Sequence, residues 1–132
     1  MSHQVIHPDG WAPAKGYANG ILAEGRTLWI GGQIGWDAQK RIVSDSFVGQ
    51  MEQALQNIAD ILATAGATPE DLVRLTWYVT DKSEYLAHQR EVGEAYRRII
   101  GRHFPAMTMV VVSALVEDAA VVEIEATAVL ST

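Results

Sequence analysis

Two carboxylates stand out for their surroundings. In the stretch 120–130, alternation puts Val122, Ile124, Ala126 and Ala128 on one face of a strand and Glu123, Glu125 and Thr127 on the other. Buried carboxylates are rare unless paired or functional, and one held beside apolar groups can be tuned toward general-base work on water. Glu123 is the candidate for that role. Glu125 divides evenly between the same role and a salt bridge to Arg74 on a neighbouring strand. The histidines, His3, His7, His88 and His103, do not group: four residues of strand would hold His3 and His7 about 13 Å apart, too far for one metal ion. No H-E-x-x-H, no calcium-loop spacing of acids and no G-x-S-x-G is present. No metal site is expected. Gly31-Gly32-Gln33-Ile34-Gly35 lacks the Lys-Ser/Thr and the following helix of a phosphate loop, and reads instead as glycines that let the backbone approach another group closely. The turn 102–106, Arg-His-Phe-Pro-Ala, leads into a strand and can offer backbone N–H groups to a ligand.

Composition narrows the chemistry further. A chain of 132 residues with 48% hydrophobic and 20% charged residues suits one globular domain, taken as 1–132. With no cysteine, thiol nucleophiles, disulfides, thiolate zinc sites and iron–sulfur clusters are all excluded. Ten Lys and Arg against sixteen Asp and Glu leave a net charge of −6, without the cationic footprint that a duplex binder needs, so nucleic acid is not expected as a partner. The segment 1–20 carries no basic start followed by an apolar run, and no membrane-spanning run of about 18 apolar residues occurs. A cytoplasmic protein that makes no membrane contact is the expectation.

The positioning elements follow from periodicity. In 46–65, Val48, Met51, Leu55, Ile58, Leu62 and Ala65 recur at helical steps, with Gln50, Glu52, Gln53, Asn57 and Asp60 mostly on the wet side and Gly66 as the stop. A second helix is predicted over 83–100, with Leu86, Gln89, Val92, Tyr96 and Ile99 on one stripe, an Asp81–Glu84 capping box and a stop at Gly101. Strands are predicted at 17–23 and 27–31, paired as a hairpin about Glu24-Gly25-Arg26, and at 72–80, 107–115 and 120–130. In 72–80, Val73, Leu75, Trp77 and Val79 should share a face. With the extended reading of 3–7 as the first strand, the order is strand, strand, strand, helix, strand, helix, strand, strand: an α+β fold with helices on one side of the sheet. Met107, Met109 and Val111 alternate with Thr108, Val110 and Val112, so neither face of that strand is properly polar. An apolar sheet face left open by the helices predicts a closed homo-oligomer.

In this order and spacing, several short motifs resemble the RidA (YjgF, reactive intermediate deaminase) family. They are Tyr17 in Gly16-Tyr17-Ala18-Asn19-Gly20, Gly32-Gln33-Ile34, Gln53 to Asn57 with Ala65-Gly66, Val79-Thr80-Asp81, Pro105-Ala106-x-Thr108, and Glu123-Ile124-Glu125-Ala126. The resemblance implies a chorismate-mutase-like α+β fold, with a six-stranded sheet carrying two helices on one face. It also implies a homotrimer whose sheets form a central barrel, with small-molecule clefts between subunits. Active members hydrolyse imines and enamines to keto acids and ammonia without a cofactor. In them an arginine directly after Pro-Ala clamps the substrate carboxylate, a tyrosine lines the cleft, and a glutamate on the last strand handles water. Here the resemblance maps the tyrosine to Tyr17 and the glutamate to Glu123.

The arginine position is Met107, the usual serine is Gly31, the usual cysteine is Met109, and a site-lining asparagine aligns with Arg90. A thioether cannot bind a carboxylate. Losing a bidentate contact to a buried anion costs roughly 3–5 kcal/mol. Two readings of the altered cleft stay open. Arg90 supplies the missing cation, against its being a solvated residue beside Glu91 and Glu94. Otherwise Met107 and Met109, with Tyr17 and Trp36 or Phe104, form an apolar cleft for a neutral or aromatic molecule, against their being core filler. The function expected is hydrolytic deamination of an imine, enamine or related C–N bond in a non-standard substrate. Glu123 would be catalytic, Tyr17 would contact the substrate, and backbone groups of Gly31 and Ala106 would hold its polar end. The alternative is a non-catalytic small-ligand-binding or stress-related trimer.

Overall fold

A computed structural model describes residues 3–131. Met1 and Ser2, part of the segment read for a targeting signal, and Thr132, the end of the expected domain, lie outside the described residues. In chain order the elements are β1 (Gln4–Ile6), β2 (Gly20–Leu22), β3 (Arg26–Gln33), α1 (Phe47–Thr64), β4 (Leu72–Val79), α2 (Lys82–Ala87), α3 (Gln89–Ile99), β5 (Ala106–Val111) and β6 (Val122–Leu130). The fold is α+β, with a mixed four-stranded sheet ordered β3-β6-β4-β5 and a separate ribbon β1-β2. Among the described residues there are therefore six strands, but in two sheets rather than one. The predicted 17–31 hairpin does not form: β2 pairs with β1, while β3 pairs antiparallel with β6. A hairpin signal is local and carries no knowledge of the longer, more apolar β6 that competes for β3.

Each helix forms for a readable reason. Ser46 caps α1, its side chain accepting from the Gly49 N–H, and Gly66, at a φ of 80°, takes the left-handed turn that ends it. Met51, Leu55, Ile58 and Leu62 are fully buried against Leu75 and Ile124 of the sheet. Phe47 joins that core, and so does Gln50, which periodicity assigns to water. The Gln50 amide donates to the Ser44 and Ala119 carbonyls and accepts from the Val121 N–H, each at 2.9 Å. A fully bonded side chain of this kind can be buried without penalty, and it ties α1 to the start of β6.

The predicted second helix is broken at His88 into α2 and α3. His88 has non-helical backbone angles, and its Nδ1 donates to the Glu84 carbonyl at 2.7 Å. Asp81 does cap α2 through the Ser83 N–H, without the reciprocal bond from Glu84. The α2–α3 crossover lets β5 run parallel to β4. Two one-residue bulges interrupt the sheet. From Ile30↔Ala126 to Gln33↔Ile124, β3 advances three residues while β6 advances two, so Gly31-Gly32 holds an extra residue. Between Leu72 and Arg74 the same happens in β4, which is why Leu72 is fully buried and Val73 only partly.

The face away from the helices carries Thr76, Tyr78, Thr108, Glu123, Glu125 and Thr127, with Trp29 77% exposed and Val110 40% exposed. It is open, but mixed rather than the apolar surface expected. On β5, Met107 and Met109 face the helices, paired in register with Leu75 and Trp77.

Candidate functional site

At the free edge of β5 the molecule opens into a cavity of about 460 Å³, bounded by β5, the α2–α3 pair and the loop Lys15–Tyr17. The loop is held there by a bridge between Ala18 and Ala106, in which the Ala18 N–H donates to the Pro105 carbonyl at 3.0 Å. This places Tyr17 beside Met107. The sheet wall consists of Trp77, Met107 and Met109, and the helix wall of Tyr85, Gln89, Val92 and Gly93 with Arg97. Tyr96 and Phe104 close the floor as a stacked pair, with centroids 5.3 Å apart and planes 13° from parallel. The Tyr96 hydroxyl donates to the His103 carbonyl at 2.7 Å, and burial pushes its phenol well above the usual range. His103 in turn donates through Nε2 to the Leu72 carbonyl at 2.7 Å. The 102–106 turn is thus pinned between α3 and β4, and its contribution to the cleft is Phe104. One polar group in the wall is unmatched. The Trp77 indole N–H is buried with no hydrogen-bond partner among the described residues.

A second cluster lies on the open face of the sheet. Glu123, half-buried on β6, extends over the Gly31-Gly32 bulge so closely that a β-carbon on Gly32 would collide with its carboxylate. This is the close approach that the glycine run forecast. Glu125 does not pair with Arg74; the Tyr78 hydroxyl donates to it at 2.7 Å. That bond to an anion, with some desolvation and the negative field of Glu125 and Glu123, raises the Tyr78 pKa above its ordinary 10.0. The Gln53 and Asn57 of the helix motif serve the connection after β3. The Asn57 amide donates to the Ile34 and Trp36 carbonyls, and Gln53 donates to Asn57. Trp36 is drawn to that side, under Lys40, and does not reach the cleft.

The predicted site residues therefore fall into groups. Tyr17 and Met107 share the cleft, and Ala106 adjoins it with its backbone bridged to Ala18. Glu123 and Gly31 belong to the bulge cluster and do not line the cleft of the same chain. Arg90 points outward, its side chain 88% exposed and its Nε 3.8 Å from Glu94. The amide that lines the cleft from this helix is its neighbour Gln89. Sequence reasoning missed Lys15, Trp77, Tyr85 and Arg97 as well. Among the described residues no three His, Asp or Glu side chains gather as metal ligands, and no helix is long and apolar enough to cross a membrane.

A mixed sheet with helices on one face, an apolar cleft at its parallel edge strand and a glycine bulge under a carboxylate define an α+β protein with an open edge cleft. The family model described as endoribonuclease L-PSP matches residues 9–130. A human 2-iminobutanoate/2-iminopropanoate deaminase is 32% identical over 114 residues, spanning 86% of this chain and 79% of that protein. A RutC family protein of Pyrococcus horikoshii is 35% identical over 129 residues, 97% of this chain and 98% of that one. The crystal structure of YyfB, a Rid family protein of unknown function from Yersinia pestis, superposes with a TM-score of 0.88 at 34% identity, covering 98% of this chain and 100% of that one. The chain belongs to this family, that of the RidA and YjgF proteins.

Proposed function

We propose that the protein hydrolyses an imine, enamine or related C–N bond of a non-standard small metabolite, in clefts formed between the copies of a homotrimer. The observation that carries this reading is the edge-strand cleft with Tyr17 and Met107 in its wall, in a chain 32% identical to a protein named as an imine deaminase. The division of the predicted residues supports the oligomer. Tyr17 and Met107 stand at the β5 edge, whereas Glu123 and Gly31 stand on the open sheet face, so a closed symmetric assembly can bring Glu123 of one copy to the cleft of the next.

In the reaction, water adds to the imine carbon while the Glu123 carboxylate accepts its proton. Glu123 returns that proton to nitrogen, the hydroxyl of the resulting carbinolamine gives the second water proton to the same nitrogen as the carbon–oxygen double bond forms, and ammonia leaves from a carbonyl product. No electron transfer is involved, so the balance needs only water. Tyr17 contacts the substrate, and backbone groups of Gly31 and Ala106 hold its polar end.

The test is an imine-lifetime assay. An amino-acid oxidase generates 2-imino acids while semicarbazide traps them, and the protein competes with the trap. A shortened lifetime that is lost in Glu123→Gln supports the reading, and an unchanged lifetime across several imino acids overturns it. A second reading, a trimer that binds a ligand without turning it over, is favoured by Met107 at the arginine position and by the lack of any carboxylate among the cleft-lining residues. It requires that Glu123→Gln keep ligand binding and that the parent show no turnover. Ribonuclease chemistry has less support. The net charge is −6, and His3, His7, His88 and His103 are each engaged with a different backbone carbonyl, of Asp71, Trp11, Glu84 and Leu72 respectively.

A further inference from the structure

The cleft lacks a cation at Met107, yet one stands on the opposite wall. Of the three arginines on α3, Arg90 lies beside Glu94 and Arg98 beside Glu52, the latter at 2.7 Å. Among the described residues the Arg97 guanidinium has no ion pair or hydrogen-bond partner, and it lines the cleft. Its guanidinium lies over Gly93, one turn earlier. A β-carbon on that glycine would stand 3.2 Å from Nη1 and 3.8 Å from both Cζ and Nη2. A planar cation bedded on a residue with no side chain explains why glycine stands inside α3, where it costs about 1 kcal/mol relative to alanine. A methyl group there would oblige the fork to give by a few tenths of an ångström.

The rest of the lining is apolar and aromatic. Met107, Met109 and the stacked Tyr96–Phe104 pair give the cleft a lining that matches a ring better than a two- or three-carbon acid. Resting on the reading of this cleft as the ligand site, we propose that Arg97, seated over Gly93, is its anion-binding and specificity-determining residue, and that the ligand is an aromatic carboxylate. The ring lies between the two methionines and the aromatic stack. The carboxylate meets Arg97, with Lys15 at the mouth adding positive potential.

The experiment uses the whole protein with phenylacetate, acetate and the neutral phenylacetamide as probes. Binding is followed through the methyl resonances of Met107 and Met109, and affinity by calorimetry. Phenylacetate is expected to bind about tenfold or more tightly than either acetate or phenylacetamide. Arg97→Gln should remove that preference over phenylacetamide. Gly93→Ala should raise the unfolding midpoint and still weaken phenylacetate several-fold, a combination that damage to the fold cannot produce. If phenylacetate and phenylacetamide bind the parent equally, or if Arg97→Gln binds phenylacetate as the parent does, the assignment of Arg97 falls while the cleft stands. If no aromatic probe shifts either methionine, the reading of the cleft falls with it.

Discussion

The Glu123 carboxylate occupies the space in front of Gly32 that a β-carbon there would fill. The bulge at Gly31-Gly32 brings the two together, because the extra residue in β3 carries its backbone beneath the side chain of β6. Gly32 is not among the left-handed glycines, so alanine is tolerated by the backbone and the flexible end of Glu123 is what must move. Gly32→Ala should therefore change stability by less than about 1 kcal/mol. Turnover of a substrate that depends on Glu123 should fall about tenfold or more, since small displacements of a reacting group are costly. Urea unfolding and the imine-lifetime assay on the same preparation check both halves.

Gln50 supports a prediction of the opposite kind, large in stability. Its buried amide serves the carbonyls of Ser44 and Ala119 and the N–H of Val121, none of which belongs to a fully buried residue. Gln50→Leu fits the hole but strands all three groups, at about 1–3 kcal/mol for each one that water cannot reach. Water can reach the exposed Ala119 carbonyl, so a loss of roughly 1–3 kcal/mol in urea unfolding is expected, with protection from hydrogen exchange falling first at Val121.

These two positions show what the sequence displays and what it hides. The β6 alternation is legible because all four predicted inward residues, Val122, Ile124, Ala126 and Ala128, are buried. Gln50 is misread because a polar side chain on an apolar stripe looks wet until the carbonyls it serves, one of them 69 residues away, come into view. The bulges at Gly31-Gly32 and Val73 shift register by one residue, which a count of period two cannot register. In the site, Tyr17 and Met107 are legible through family resemblance. Arg97 is hidden, since Gly93 and Arg97 one turn apart on a charged helix look like any solvated face.

The Tyr78–Glu125 bond makes a pH prediction. The bond to Glu125 holds the phenol proton, so Tyr78 titrates above 10.0 in the fold and near 10.0 when unfolded. A group whose folded pKa is raised contributes stability that is fully present below the unfolded value and is lost as pH rises through the folded one. Glu125→Gln should bring tyrosinate absorbance back toward the ordinary range. The stability difference between parent and variant should shrink once the pH passes 10.0 and Tyr78 ionises.

Met107 offers the most direct test of how the cleft selects its ligand. Its side chain faces the helices beside Tyr17 and packs partly against the core, so Met107→Arg should cost about 1–2 kcal/mol of stability. In return it sets a guanidinium on the sheet wall of the cleft, across from Arg97. A small carboxylate that cannot span from the methionines to α3 then gains a bidentate partner within reach, while an aromatic carboxylate loses part of the apolar bed for its ring. Measured on 2-iminopropanoate and on an aromatic 2-imino acid, the variant should gain about tenfold in kcat/KM on the first relative to the second, with the change falling mainly in KM. An equal effect on both would mean that position 107 does not touch the carboxylate end of the substrate, and that ligand size is judged elsewhere in the cleft.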